Sequence, residues 1–351
     1  MNKGLSLYLD FLRAIAALAV FISHAQGFLL PGMPASVASN GDEAVAVFFV
    51  LSGFVIQYVL ATKENDWRSY AFARIVRISS VVVVALLATY VADHWGMAIN
   101  PGLYQSIPFY NDDYAADLLR ALTFTSEYWY GHVVFGTNEA YWSLGFEVSY
   151  YIAAGVFVFA PRRIAPLLTL AFALLIGPKI VAFSLLWLLG AITYRITSSR
   201  FSPRYCLAIF LATPVLYAVA KLSLHDLKHP IFIWQGFASC AESLLYYTVI
   251  ALIAALNIFS FSRVFQNLDF VPARAANAVR WVAGASFTLY LTNEPLFVLA
   301  KAMSLDRSPA YGIAGTLGVL CIAFALAEIG ERRKHHYKTL IRYVFRDVAR
   351  A

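Results

Sequence analysis

Along the chain, long apolar runs alternate with short polar breaks. Ten of the runs approach the roughly 20 residues that a helix needs to cross a ~30 Å hydrocarbon core. They cover 8–30, 42–60, 73–94, 142–160, 163–179, 181–197, 204–221, 232–256, 281–303 and 310–331. Only Gly177, Pro178 and Lys179 separate the fifth run from the sixth, so these two read either as two spans or as one broken hairpin. The pattern predicts an all-α, polytopic integral membrane protein with about ten transmembrane helices.

Composition agrees with that reading. Apolar residues make up 60% of the 351 positions and charged residues 13%, with a mean hydropathy of +0.66. Soluble domains average about 45–50% apolar and 25% charged. The stretch LLPGMPASVA ends in small residues like a signal-peptide cleavage region, but the run before it is long enough to span. That run also carries Asp10, Arg13 and His24, which a cleavable apolar segment would not. Cys206, Cys240 and Cys321 lie in or beside different spans without paired spacing, so neither a disulfide framework nor a metal site is expected.

Lys and Arg placement predicts orientation, because positive residues are retained on the cytoplasmic side. With the N-terminus inside, the inner segments hold Lys3; Lys63, Arg68, Arg74 and Arg77; Arg162 and Arg163; Arg195, Arg200 and Arg204; Arg263, Arg274 and Arg280; and the basic tail. The outer segments hold Arg120, Lys179, Lys221, Lys228, Lys301 and Arg307. Both termini are therefore expected in the cytoplasm, and the net charge of +7 reports topology rather than a nucleic-acid partner. The C-terminal segment places Tyr337, Leu340, Ile341, Val344, Phe345 and Val348 at helical spacing among basic residues, the pattern of an interfacial helix on an anionic leaflet. The outer loop from 95 to 141 is long, lacks an obvious regular pattern and is rich in Tyr and Trp, which either stack on sugars or form an interfacial belt and packing.

Candidate chemistry begins in the first span. An ionisable residue at the bilayer centre costs about 2.5–3.5 kcal/mol on insertion scales, so Asp10, Arg13 and His24 are expected to face protein or a watery cavity. Arg13 and His24 share one helix face about 16 Å apart in height, and Asp10 joins that face. In the fourth span, Ser143, Glu147 and Tyr151 share a face, and Glu147 reaches the depth of His24. A carboxylate and an imidazole at one depth make either a base with its orienter or a pair that locks helices together. Arg74 and Arg77, one turn apart, are either a positive-inside anchor or an anion clamp that Arg13 extends. Ser52 and Gly53 permit close helix contact, and Asn293, Glu294 and Pro295 in the ninth span suit a cavity lining, with proline loosening the helix.

Together these stretches resemble acyltransferase family 3, integral-membrane O-acyltransferases of cell-surface glycans and related acceptors. LDFLRAIAALAVFISHA is similar to the family's opening helix, FFVLSGFVI to its second helix, RIVRI to its arginine motif and YWSLGFEVSYYI to its Trp-Ser-Leu-x-x-Glu stretch. SFTLYLTNEPLF resembles a late helix whose usual His is Asn293 here, and Ala46 stands at an often acidic position, with Asp42 and Glu43 displaced outward. Those two departures bear on acceptor binding. Glu331 corresponds to an acidic residue near the family's end.

The resemblance implies an enzyme that moves an acyl group, in the first instance acetyl, from a cytoplasmic acyl-CoA to a hydroxyl of a cell-surface or lipid-linked glycan. No cofactor would be permanently bound, with acetyl-CoA or another acyl-CoA serving as co-substrate. His24 and Glu147 become the catalytic pair, and Arg13, Arg74 and Arg77 hold the donor. Asp10, Ser143, Tyr151, Asn293 and Glu294 become cavity or acceptor positions. The resemblance divides the chain into a transmembrane acyltransferase domain, 1–331, and a basic amphipathic tail, 332–351, and places it among the lipids of a bacterial inner membrane. A transporter or flippase for a lipid-linked sugar is the rival reading, but it would more naturally show inverted repeats, which the sequence lacks.

Overall fold

The computed structural model describes all residues except 109, 111, 198–200, 266–270 and 345–351, so Arg200 of the charge pattern and Phe345 and Val348 of the amphipathic tail lie outside the described residues. Each of the ten apolar runs is a helix: α1 (Lys3–Phe28), α2 (Gly41–Thr62), α3 (Trp67–Ile99), α4 (Trp142–Phe159), α5 (Ala165–Ile176), α6 (Pro178–Ile196), α7 (Pro203–Ser223), α8 (Phe237–Val264), α9 (Ser286–Ala302) and α10 (Pro309–Ile329). Their starts follow local chemistry. Asn2 and Asp66 cap α1 and α3 through side-chain oxygens, and α5, α6, α7 and α10 open with proline in the first turn, where a missing N–H is harmless.

Among the described residues eight helices are long and apolar enough to cross a membrane. The other two of the ten runs depart from simple spans for different reasons. With 12 residues α5 reaches only about 18 Å, and it breaks from α6 at Gly177, whose φ of +87° suits glycine. There the Ile176 carbonyl accepts from Trp129 N–H at 2.9 Å. α9 has 17 residues and is buried over nearly its whole length between α1, α3 and α10. It is the centre of the bundle and has little lipid-facing surface.

One face of the bundle carries the described N-terminal residues and the last described helix, Lys334–Val344, whose Arg342 lies over the Phe72 ring at the start of α3. We call it the terminal face. The opposite, loop face carries residues 100–141. The expectation of a loop without regular structure is corrected here: short helices occupy Pro101–Gln105 and Tyr114–Thr123, and a 3₁₀ turn Glu139–Tyr141 leads into α4. Asp93 anchors this cap to α3 by accepting from Thr137 N–H (2.9 Å), Thr137 Oγ1 (2.5 Å) and Tyr114 Oη (3.1 Å). Tyr104 is fully buried, so the cap's aromatics divide between packing and the exposed Trp129 and Tyr130.

Gly53 meets the expectation of close helix contact. A Cβ there would overlap the Trp187 carbonyl of α6, and one at Gly190 of α6 would overlap the Val50 carbonyl of α2. The two backbones therefore touch through a glycine on each side, as small residues allow in membrane bundles. Gly53→Val is expected to destabilise the protein by about 1–3 kcal/mol, the usual cost of overpacking. A thermal-unfolding midpoint in detergent equal to that of the unchanged protein would refute this close approach.

Candidate active site

A narrow cavity of about 60 Å³ opens within the terminal half of the bundle. Arg13 of α1, Arg77 of α3, Ser143, Glu147 and Tyr151 of α4, and Glu331 just beyond α10 all contribute to its wall. The fold thus brings together five residues that the sequence singled out in three separate stretches: Arg13, Arg77, Ser143, Glu147 and Tyr151. Asp10 lies 3.4 Å from Arg13 and touches it at the cavity's terminal end. Arg77 makes no side-chain hydrogen bond to another described residue, so its guanidinium keeps its donors for the cavity. Glu331 Oε2 accepts from the backbone N–H groups of Phe287 and Thr288, both at 3.1 Å. It caps α9, whose own N-cap residue, Ala285, has no side chain able to do so.

His24 sits beyond this cavity, and its partner corrects the expected one. Its Nδ1 is 2.5 Å from Asn293 Oδ1, with no hydrogen bond to Glu147. The Asn293 Nδ2 donates to the carbonyls of Leu289 (2.7 Å) and Tyr290 (3.0 Å), which leaves Oδ1 as the atom facing histidine. An amide oxygen only accepts, so Nδ1 carries the hydrogen of this bond, and it is the Nδ1–H tautomer that has its lone pair at Nε2. Asn293 therefore acts on the histidine rather than lining an acceptor pocket. It stands one turn beyond Tyr290, which lines the cavity, so His24 lies about 5 Å further along the helix direction. Glu147 instead accepts from Tyr151 Oη and from Ser52 Oγ (3.2 Å), and Ser52 in turn accepts from Trp187 Nε1 (3.3 Å). Equal depth placed Glu147 beside His24 in the sequence argument. Depth does not decide which neighbour a side chain faces.

Glu294 also has a different task from the one expected. Its Oε2 accepts from Ala140 N–H at 2.9 Å and so fixes the turn from which the YWSL stretch of α4 starts. Pro295 leaves the Leu291 carbonyl without its helical donor, and Asn138 Nδ2 fills that place at 2.8 Å. The freed carbonyl is thus satisfied by the loop-face cap, not by a cavity. Asn138 and Asp93 were not singled out in the sequence; a polar residue opposite a mid-helix proline is the only signal that would have found Asn138.

Arg74 and Arg77 do not form one clamp. The Tyr151 ring lies 5.8 Å from the Arg74 guanidinium, while its hydroxyl bonds Glu147 in the cavity. Arg74 lies in the wall of a separate, apolar groove and pairs with Glu64 at 3.0 Å. The pairing, not only the positive-inside tendency, accounts for its place.

On the loop face a buried charge cluster holds the cap. Lys179 Nζ donates to Glu127 Oε2 (2.6 Å) and to the carbonyls of Gly131 (2.6 Å) and Phe232 (2.8 Å), using all three of its hydrogens. Glu127 Oε1 lies 2.8 Å from His132 Nδ1, and Glu139 is 3.8 Å from Nε2 of the same ring. Burial works against the charged imidazole, but hydrogen bonds and charge from Glu127 and Glu139 outweigh it and push its pKa up to about 9. The folded protein therefore holds this proton more tightly than the unfolded chain. The stabilisation is complete below the ordinary value of 6.5 and is lost as the pH rises through about 9. The thermal midpoint of the purified protein is expected to fall over that window, whereas His132→Gln should start lower and vary less. Equal pH slopes for the two proteins would contradict this role.

Comparison with known proteins identifies the family. The family model described as an acyltransferase domain, acyltransferase family 3, matches residues 6–328. The chain is also similar to the "Putative peptidoglycan O-acetyltransferase YrhL" of Bacillus subtilis (strain 168), with 23% identity over 340 residues, covering 86% of this chain and 50% of that protein. The chain thus spans about half the length of this curated relative. No solved structure matches. The chain belongs to acyltransferase family 3.

Proposed function

We propose, with membership of that family as the premise, that this protein transfers an acyl group, acetyl in the first instance, from an acyl-CoA to a hydroxyl of a cell-surface or lipid-linked glycan. The observation that carries the reading is a histidine held in one tautomer, with Nε2 free, just beyond a cavity walled by two arginines. The relative's printed name, a peptidoglycan O-acetyltransferase, supports a glycan as acceptor.

In this reading the donor enters from the terminal face, which is the cytoplasm of a bacterial inner membrane, and both termini lie there. Arg13 and Arg77 hold the donor's phosphates through charge-assisted hydrogen bonds. Glu147, bonded to Ser52 and Tyr151, shapes the cavity wall along which the thioester arm reaches toward His24. The acceptor hydroxyl oxygen attacks the thioester carbonyl carbon, and its proton passes to His24 Nε2. The carbon–sulfur bond then breaks, and the proton returns to the departing thiolate, giving an ester and free CoA. A hydroxyl needs such help because its pKa is far above neutrality, and a positioned base contributes typically 10²–10⁴-fold. Asn293 acts through His24 by fixing the tautomer. Residues 1–331 form the catalytic unit and 332–351 a basic tail against the lipid surface.

His24→Ala is expected to lower transfer by about 10²–10⁴-fold while leaving CoA binding unchanged, since Arg13 is about 16 Å away along α1 and His24 does not line the cavity. Wild-type acetylation of the glycan by this variant, read by mass spectrometry, would sink the mechanism. Replacing Arg13 and Arg77 by glutamine should weaken CoA binding in a titration, and unchanged affinity would remove the donor site from this cavity. For orientation, Asp112→Cys should react with an impermeant thiol reagent on intact cells. Reaction only after lysis would invert the topology.

A further inference from the structure

The cavity that Arg13 and Arg77 share is long and thin. Along α2 its wall runs from Ile56 at the terminal end to Val45, about 17 Å by the helical rise, yet its volume is about 60 Å³. That is room for roughly four to six waters, a single file of atoms rather than a chamber. A chain entering at the arginines therefore has no space beside it, and its leading group meets the loop-ward end first. Two rings stand there. Phe48 of α2 and Tyr290 of α9 both line the cavity, and their centroids lie 5.8 Å apart with the planes at 63°, edge to face. Their place relative to His24 is fixed from two helices. Tyr290 lies one turn before Asn293, the partner of His24 Nδ1. Phe48 also packs on the apolar cluster that holds Phe21 and Ala25, which flank His24 on α1. The two rings thus stand between the cavity and the histidine.

We propose that Phe48 and Tyr290 set the length of the transferred group, passing acetyl to His24 and rejecting propionyl and longer chains. The inference rests on the reading of this cavity as the donor's. In a thioester donor the acyl group is the leading end of the arm, so it is the part that reaches the two rings. An acetyl group ends there with one methyl. Each further methylene has to displace a ring, and a close-packed interior yields only by forcing side chains off their preferred rotamers. Phe48 is the ring to change. Its replacement leaves in place the Tyr290 carbonyl that holds Asn293, and with it the orientation of His24.

The test is a competition. The purified full chain receives equimolar acetyl-, propionyl- and butyryl-CoA with isolated peptidoglycan, the acceptor in the relative's printed name, and mass spectrometry reads the esters formed on the glycan. Their ratio is the ratio of kcat/KM values, which a loss of fold would lower for all three donors alike. The unchanged protein is expected to favour acetyl over propionyl by about 10–200-fold, the range for one methylene in an apolar pocket. Phe48→Ala should lower the acetyl-to-butyryl ratio by about tenfold or more, and Phe48→Leu, which keeps a core-sized side chain, should lower it less. Equal ester masses from the unchanged protein, or a ratio that neither variant moves, would overturn the gate and leave acyl transfer standing. No ester from any donor would overturn the transfer reading itself, and the gate with it.

Discussion

The structure turns on the burial of α9. A helix at the centre of a membrane bundle has no water to satisfy the polar groups that its ends, its proline and its side chains leave open. Several of these groups are therefore met by other parts of the chain. Glu331 reaches the first-turn N–H groups of Phe287 and Thr288, and Asn138 reaches the carbonyl that Pro295 frees. Ala140 N–H meets Glu294, and His24 meets Asn293. Four neighbours are fixed in position by one helix: the end of α10, the loop-face cap, the start of α4 and the outer part of α1. The catalytic histidine of the proposed reaction is oriented by the same requirement that holds the fold together.

What the sequence made legible follows from what helical spacing encodes. Apolar run length located all ten helices, and spacing gave the shared face of Ser143, Glu147 and Tyr151, while the meeting of that face with Arg13 and Arg77 in one cavity comes from the fold. Spacing encodes height and face on a single helix, but not the rotation of that helix against its neighbours. For this reason Glu147 was paired with His24 at equal depth, while the folded chain turns it toward Ser52 and Tyr151. Arg74 and Arg77 failed in the same way. They lie one turn apart, yet an aromatic ring from α4 divides them into two environments. The short helices of the cap escaped notice because ten residues or fewer carry too little periodicity to stand out from a loop.

Asn293 shows how a departure from a family pattern gains meaning only with its neighbours in place. In the sequence it reads as a missing titrating group. In the structure its Nδ2 is held by two carbonyls of its own helix, so its oxygen is the only atom it can offer His24. A carboxylate in that place would bring a full negative charge into the bundle interior, a burial that costs several kcal/mol unless paired. The neutral amide fixes the tautomer without that cost. The neighbouring Glu294 turns its carboxyl group to the Ala140 N–H at the start of the turn into α4.

Several of the remaining charges are paired, and those pairs bind separate chain segments together. Lys179 at the start of α6 joins Glu127 of the cap, and Lys228 of the loop before α8 joins Asp42 and Glu43 at the start of α2. On the terminal face Arg332 pairs with Glu328 at the end of α10 and donates to the Trp281 carbonyl at 2.6 Å, linking the segment after α10 to the helix Ala273–Ala283 that precedes α9. Arg77 is the contrast. With carboxylates from Glu147 and Glu331 in the same cavity but no hydrogen bond to either, its charge is balanced while its donors stay open. A guanidinium in that condition can take an anionic ligand without first breaking a bond that the fold depends on. That separates Arg77 from the structural pairs around it and is what the proposed donor site requires.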